Sequence, residues 1–329
     1  MSLKNGTPTM KDVAREAGVA LGTVSKVVNG IPVGEDYKSR VDRAIAKLNY
    51  QVNDFAKSLK IAKTLTIALI IPNIYNTFYS SIAESLNMEL SKRGYRMLLC
   101  TTDRGDEQSI MTMMSQNRAD GIIVLSYSTK LDFPEGLPVV SIDRRFSPDI
   151  SCVSSDNYGG GQIAAAKLYA LGCRRLAFLG TATDVETEVT KRRDGFVSYC
   201  RQQGISFEEC FRTGADDFAP LADFLDSRIR RGKPAFDGIF AISDACGYQV
   251  MRYLSAKGLH VPEDLQLIGY DGIRKFGYFD YFCSTIVQPV EDIARACVEL
   301  VLREKGTAVP SLLCLPVHFE EGGTTTPQR

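Results

Sequence analysis

The chain has 329 residues, with 39 Lys and Arg against 39 Asp and Glu, so its formal net charge is zero and 44% of it is hydrophobic. That length allows two or three compact units, and no uninterrupted apolar run approaches the roughly 20 residues of a membrane span. Nine scattered cysteines with no C-x-x-C pair point to reduced thiols, mostly as small buried apolar residues.

The two histidines, His260 and His318, lie in polar surroundings, which argues against a His-based metal site or catalytic triad. The N-terminus has no apolar h-region of a signal peptide, so the expected location is the cytoplasm. Charge is unevenly placed. Residues 1–63 hold eleven Lys and Arg against six Asp and Glu, a net of +5, which leaves −5 on the remainder. A small basic end on a larger acidic body suits a polyanion-binding head joined to a separate sensor.

In chain order, Val13, Ala14 and Ala17 form a short helical stripe. Gly18 interrupts it, Val19 fills the corner, and Val24, Val27 and Val28 form a second stripe. Two short helices joined by a tight glycine turn predict a helix-turn-helix. The second helix of that motif enters the DNA major groove and its first residues meet base edges. Its solvent side begins with Leu21, Gly22 and Thr23 and continues through Ser25 and Lys26. A helical hairpin inside some core is the alternative, and the N-terminal position with basic flanks speaks against it.

The runs Asp12-Val13-Ala14, Ala17-Gly18-Val19 and Thr23 to Asn29 resemble the headpiece of the LacI/GalR family of bacterial transcription regulators. The resemblance extends over nearly the whole chain. It implies that Thr9, Leu21, Gly22, Thr23, Ser25, Lys26 and Asn29 contact DNA. After a loop from Gly30 to Asp36, Val41, Ile45 and Leu48 predict a third helix that closes a headpiece over residues 1–49. The segment 50–63 has no wide apolar face and reads by itself as a linker, too short for a stable isolated helix. The resemblance implies instead a hinge helix that orders on DNA, with Asn53, Ala56 and Leu59 as contacts and Leu59 as a wedge in the minor groove.

From Leu65 the texture changes. The runs LTIALII (65–71), MLLC (97–100), GIIVL (121–125) and VVSI (139–142) alternate with helix-like stretches. LAFLG (176–180), GIFAI (238–242) and LQLIGY (265–270) repeat the pattern, and LLCLPVHFE (312–320) reads as one further strand. Short apolar strands between helices predict buried parallel sheets with helices on both faces. The expected fold is α/β: a three-helix helix-turn-helix headpiece plus two doubly wound parallel sheets in two lobes of the periplasmic-binding-protein type. The effector-binding core is expected over 64–329, with lobe 1 about 64–161 and 290–320 and lobe 2 about 162–289. The polar tail has no leucine heptads.

Open α/β sheets bind ligands beyond the carboxyl ends of their strands. Those ends carry Asn73, Thr102 and Asp103, Ser126 and Tyr127, and Asp143 and Arg144; in the second half they carry Ser243, Asp244 and Asp271. Any one of them can be a helix cap or a loop residue. The resemblance implies a ligand role for Asn73, Phe78, Tyr79, Asp143, Arg192, Ser243, Asp244 and Asp271. Arg192 matches the effector-gripping arginine of an R-x-x-G-[FYW] motif, and Gly269-Tyr270-Asp271 supplies an accepting carboxylate. Phe78 and Tyr79 can stack on a ring. Ser243 stands where the family usually has Asn, and Gly272 where some members carry a second acid. Gly159-Gly160-Gly161-Gln162-Ile163-Ala164 formally fits a dinucleotide fingerprint, but the strand before it is polar and no ribose-binding acid follows.

These readings converge on a homodimeric, effector-responsive DNA-binding regulator, expected to be a repressor. Its expected partners are double-stranded operator DNA and a sugar or sugar phosphate, with no cofactor, no metal and no membrane. A purine-like effector is the runner-up. A solute-binding protein without a DNA role and an enzyme are the rivals, and no paired catalytic carboxylates, nucleophile elbow or P-loop supports the latter.

Overall fold

The computed structural model describes residues 8–50, 63–102, 107–116, 119–128, 131–182, 185–213, 218–275, 279–304 and 310–326. The chain divides into two compact units, Met1–Thr64 and Leu65–Arg329. The expected hinge contacts Asn53, Ala56 and Leu59 lie outside the described residues.

The first unit packs α1 (Met10–Ala17), α2 (Leu21–Val28) and α3 (Glu35–Leu48) around fully buried Val13, Val24 and Val41. The Thr9 amide and hydroxyl both donate to Asp12 Oδ2, at 2.9 and 2.6 Å, and so fix the first turn of α1. Gly18 ends α1 in the left-handed region at φ +60°, and the Val19 amide bonds back to the Ala14 carbonyl at 3.1 Å. Arg40 of α3 then donates to the Ala17 carbonyl at 3.0 Å and the Gly18 carbonyl at 2.8 Å. Carbonyls at a helix end lack intrahelical partners, so one side chain of the third helix holds the turn between the first two. The loop is shorter than expected. Glu35 and Asp36 join the first turn of α3, where acidic groups favour the positive end of the helix dipole.

The second unit contains two sheets of like topology. The first has the order β2-β1-β3-β4-β5-β13, with β1 Thr66–Ile71, β2 Arg96–Thr101, β3 Gly121–Val124, β4 Val139–Ile142, β5 Ser151–Ser155 and β13 Leu312–Leu315, all parallel. The second has the order β7-β6-β10-β11-β12-β14, with β6 Arg175–Ala182, β7 Ser206–Thr213, β10 Gly238–Ala241, β11 Gln266–Asp271, β12 Thr285–Val287 and β14 His318–Glu320. A two-residue ribbon, β8 Ile229–Arg230 with β9 Lys233–Pro234, lies outside both sheets. In each sheet the first strand in the chain lies between the second and the third, and so each has a switch point where ligands of doubly wound folds bind. Helices α4 (Thr77–Lys92), α5 (Glu107–Ser115) and α10 (Val290–Val301) serve the first sheet. Helices α6 (Asn157–Ala170), α7 (Lys191–Gln202), α8 (Ala219–Arg228) and α9 (Asp244–Ala256) serve the second.

Three strands of the two sheets escape the apolar-run reading, each for a physical reason. β5 is SCVSS, whose buried serines are satisfied by hydrogen bonds; β7 is a sheet edge; β12 is three residues long. LLCLPVHFE is two strands rather than one. Pro316 has no N–H for a ladder, and past it β14 joins the second sheet antiparallel to β12, so residues 318–320 do not complete the first lobe. The chain crosses between the sheets near residues 156, 288 and 316. These crossings are tied side by side: the Asp156 amide donates to the Leu315 carbonyl at 2.7 Å, and Ser155 Oγ to Gln288 Oε1 at 2.6 Å.

Helices α6 and α7 meet backbone to backbone. A Cβ on Gly161 would stand 2.0 Å from the Arg192 carbonyl oxygen, and one on Gly195 would stand 1.9 Å from that of Tyr158. The glycines of the fingerprint-like run therefore serve helix packing. Gly195→Ala should lower the stability of the second unit by about 1–3 kcal/mol, the range for overpacking a dense interior. Urea denaturation measures it, and an unchanged midpoint would mean that the two helices are free to separate.

Candidate functional site

On the first unit, α2 turns Val24, Val27 and Val28 inward. Leu21, Gly22, Lys26 and Asn29 are exposed on the opposite face, and Thr23 and Ser25 are half-buried at its margins. Asn29 Nδ2 donates to the Ser25 carbonyl at 2.7 Å and closes the helix end. The outward face thus offers an aliphatic group at Leu21, a close-approach point at Gly22 and one long cation at Lys26, the residue types that meet base edges and phosphates. Thr9 stands at the start of α1, its hydroxyl proton directed to Asp12.

In the second unit the polar groups converge beyond the strand ends, on both sides of the crossings. Arg192, in the first turn of α7, is almost fully buried. Its Nε donates to Asn157 Oδ1 at 2.8 Å, and its Nη1 to the Ile242 carbonyl at 2.7 Å and to Asp271 Oδ1 at 3.4 Å. The guanidinium lies over the Tyr270 ring, 3.7 Å from its centroid. Neighbouring Arg193 turns away and pairs with Glu209 at the surface. Asp271 also accepts from Gln288 Nε2 at 2.8 Å. Among the described residues no bond reaches Arg192 Nη2 or Asp271 Oδ2. Across the cleft Asp143 accepts from Ser154 Oγ at 2.7 Å, and the hydroxyls of Tyr79 and Tyr127 lie 2.9 Å apart.

Both site carboxylates sit on unusual backbone. Asp143 has φ +58° and Asp271 φ +126°, conformations that cost a non-glycine residue about 1–3 kcal/mol. The Asp143 carbonyl accepts the Glu188 amide at 2.8 Å, a bond from the first sheet's end to the short turn before α7. Burial raises the carboxyl of Asp143 above the ordinary range, with Ser154 and Arg192 pulling the other way. Burial raises Asp271 likewise, opposed by Arg192 and Gln288. Burial also pushes up the Tyr79 and Tyr127 hydroxyls, and the charges of Asp143 and Asp271 add to it.

Five of the expected ligand residues are engaged with other parts of the protein. Asn73 Oδ1 accepts the amides of Tyr75 and Asn76, both at 3.0 Å, and shapes the turn before α4. Ser243 caps α9 by accepting from the Cys246 amide at 3.1 Å. Asp244 is 1% exposed. It accepts from the Ile273 amide and Thr285 Oγ1, both at 2.7 Å, and so anchors the turn that follows Asp271. Burial, then the charge of Asp271, raises its carboxyl. Phe78 is in the core and Tyr79 joins it with its hydroxyl on Tyr127, so the open ring faces expected for stacking are mostly covered.

The structure adds partners to the set. Tyr270 was legible only as the middle of Gly-Tyr-Asp, and Asn157 and Gln288 carried no ligand signal. Among the described residues no cluster of His, Cys, Asp and Glu could hold a metal ion, and no helix is long and apolar enough to cross a membrane.

A helix-turn-helix unit on a two-lobed α/β core with a polar cleft defines a ligand-responsive transcription regulator. Residues 9–53 match the model of the bacterial regulatory proteins, lacI family, and residues 165–325 match that of the periplasmic binding protein-like domain. The sucrose operon repressor of Streptococcus mutans is 31% identical over 319 residues, 95% of this chain and 98% of that protein. The ribose operon repressor of Bacillus subtilis is 32% identical over 326 residues, 96% and 98% of the two. Among solved structures, the lac repressor dimer bound to operator and the anti-inducer ONPF matches with a TM-score of 0.80 and 21% identity, over 98% of this chain and 100% of that one. The chain belongs to the lacI family of bacterial regulatory proteins, which are transcription regulators and not enzymes.

The Tyr270 ring is fully buried, and its hydroxyl has no hydrogen-bond partner among the described residues. Tyr270→Phe should therefore leave stability unchanged or slightly raised, because it removes an unsatisfied polar atom and keeps the ring under Arg192. Tyr270→Leu should lose about 2–4 kcal/mol in packing and cation–π contact. Equal losses in the two variants, by chemical denaturation, would mean that the hydroxyl and not the ring holds Arg192.

Proposed function

We propose that this chain is a cytoplasmic repressor that binds a two-fold operator as a homodimer and whose affinity for DNA is set by a sugar in the cleft. The observation that carries the effector reading is the buried Arg192–Asp271 pair. A guanidinium edge and a carboxylate oxygen, both without a bond among the described residues, offer a donor beside an acceptor. A sugar hydroxyl both accepts and donates, so adjacent hydroxyls satisfy both groups at once. Asp143 stands opposite as a further acceptor. The curated relatives, repressors of sucrose and ribose operons, support a sugar over a purine, and the covered rings of Phe78 and Tyr79 weaken the purine alternative.

The proposed organisation is a headpiece over 1–49, a hinge over 50–63 and an effector core over 64–329. Thr9, Leu21, Gly22, Thr23, Ser25, Lys26 and Asn29 are the headpiece residues proposed to face DNA, joined by Asn53, Ala56 and Leu59 of the hinge. Arg192, Asp271 and Asp143 contact the effector. Ser243 and Asp244 shape its surroundings, Asn73 positions the start of α4, and Phe78 and Tyr79 wall the cleft. Two-fold symmetry gives two recognition helices for two half-sites.

The test is fluorescence anisotropy of the full chain on duplexes selected from a random pool, at several salt concentrations, with and without a panel of sugars. Selection should yield a near-palindrome, affinity should fall steeply with salt, and one sugar should change affinity at least about tenfold, a coupling of the size common in allosteric proteins. No enriched sequence would refute the DNA role; enrichment with no sugar response would refute the effector role. Lys26→Ala should cost about 1–3 kcal/mol on the selected site if it reads a guanine edge. An equal loss on random DNA would assign Lys26 to phosphate.

The carboxyls also give the pH dependence a sign. Asp143, Asp244 and Asp271 hold their protons more tightly folded than unfolded. Their contribution to stability is thus full below the ordinary aspartate pKa, about 3.9, and is lost as pH rises through the raised values. Sugar hydroxyls donating to the ionised carboxylates of Asp143 and Asp271 offset part of that loss. The rise in melting temperature caused by the sugar should therefore grow from pH 5 to pH 8, roughly the span over which buried carboxyls ionise. A rise that shrinks over the same span would mean that the sugar binds the protonated carboxyls.

A further inference from the structure

We propose that the effector is a neutral saccharide of at least two linked units, its inner unit at the Arg192–Asp271 pair and its second unit in an adjoining cavity. The inference rests on the reading that the Arg192 site takes a sugar, and it adds size and charge to that reading.

Asp271 and Gln288 belong both to the buried polar cluster and to the wall of an open cavity of about 620 Å³. Helix α4 forms the opposite wall with Thr77, Phe78 and Ser81. The cavity begins where the cluster ends, so a ligand held by Asp271 has its far side facing this space. Its volume falls in the middle of the range, about 300–1,000 Å³, of pockets that bury ligands larger than a single ring. A monosaccharide gripped by Arg192 would leave most of it to water.

The walls have the chemistry of a sugar subsite. Ile273, Val287 and Pro289 present an apolar face, suited to the C–H face of a pyranose or furanose ring. Thr77 and Ser81 present hydroxyls from α4, suited to the ring's polar edge.

Charge decides against a phosphate in the second position. The cavity is lined by the carboxylates of Glu84, Asp271, Glu291 and Asp292, of which Asp271 pairs with Arg192 and Asp292 with Arg295, against Arg274 and His318. Both basic groups are already engaged. Arg274 donates to the Tyr281 hydroxyl at 2.9 Å and lies over the Tyr281 ring, and His318 lies 3.6 Å from Glu320. A dianionic phosphate would enter a field of like charge with no unengaged cation to receive it, and rejection of this kind needs no added contact to the right ligand.

The experiment is a thermal-shift screen of the full chain with neutral disaccharides (sucrose, maltose, cellobiose, trehalose and lactose), their component monosaccharides together with ribose, and the 6-phosphates of glucose and fructose. Calorimetry of each hit follows, on wild type, Ser81→Trp and Arg192→Ala. Ser81 lines the outer cavity and, among the described residues, no hydrogen bond joins it to the Arg192 cluster, so a tryptophan there should fill the second subsite and leave the first. The expected result is a neutral disaccharide as the tightest ligand, at least about tenfold tighter than either component, as the loss of one ring's burial and hydrogen bonds implies. Ser81→Trp should weaken it about tenfold or more and leave the binding of its monosaccharide units within about threefold. Arg192→Ala should remove both. If Ser81→Trp melts early, Thr77→Tyr at an exposed position of the same wall repeats the test.

A monosaccharide or a sugar phosphate as the tightest ligand overturns the inference and leaves the sugar reading standing. So does a disaccharide that ignores both cavity-filling variants. If no sugar of any class binds, the sugar reading itself falls and the inference with it.

Discussion

Arg192 carries a permanent charge to a place where 4% of its side chain meets solvent, and Asp271 beside it is 8% exposed. Removing an ion from water costs several kcal/mol even after relaxation, and a buried pair repays it only when the remaining donors and acceptors are satisfied. Much of the second unit supplies that satisfaction. Asn157 opens α6 to meet Nε, the Ile242 carbonyl meets Nη1 where β10 ends, Tyr270 lies under the guanidinium, and Gln288 bonds Asp271 from the crossing segment. The glycines between α6 and α7 belong to the same requirement, since they let the two helices approach until Asn157 reaches Arg192. Among the described residues, one edge of the guanidinium and one carboxylate oxygen stay without a hydrogen bond. The strained backbone of Asp271 and Asp143 is a second cost to stability, of the kind that the proposed binding role would account for.

The same pair joins the parts that must move if the protein switches. Gln288 bonds both Asp271 and Ser155, and so touches two of the three crossings between the sheets. The Glu188 amide reaches the Asp143 carbonyl across the cleft. A ligand held between these groups favours one angle of the two lobes by its differential contacts, which is the condition for shifting a two-state equilibrium. In the headpiece Arg40 has a comparable role on a smaller scale, since one α3 side chain bonds two carbonyls at the turn that sets α1 against α2.

Much of the fold was legible because its signals are local. The valine stripes of α1 and α2, the glycine between them and the apolar runs of β1, β3, β4, β6, β10 and β11 lie in continuous segments of sequence. β5 was hidden because its serines look solvent-facing until Asp143 and Gln288 are known to accept from them. The split at Pro316 was hidden because an apolar run does not say which sheet it joins. The sequence motifs point to Arg192 and Asp271, which the fold brings into one buried pair, whereas polar residues at other strand ends were all given one role. Asn73, Ser243 and Asp244 have suitable chemistry, yet nearby backbone amides take their oxygens. Such amides compete with a ligand on short range, and the competition is settled by geometry that sequence spacing does not carry. Gln288 and Tyr270 act through contacts to residues far away in the chain.

The central claim is that the buried pair is kept for binding rather than for stability. Urea denaturation of the full chain, with and without the saturating sugar, tests it on Arg192→Met, Asp271→Leu and the double variant. Each single change should cost about 3–5 kcal/mol by leaving one buried charge alone, whereas the double change to apolar groups should recover most of that loss. The double variant should also lose the sugar's stabilisation, which for a ligand at 100 times its Kd is about 2.7 kcal/mol in the wild type. A double variant as unstable as the sum of the single changes, or one still stabilised by the sugar, would contradict the account.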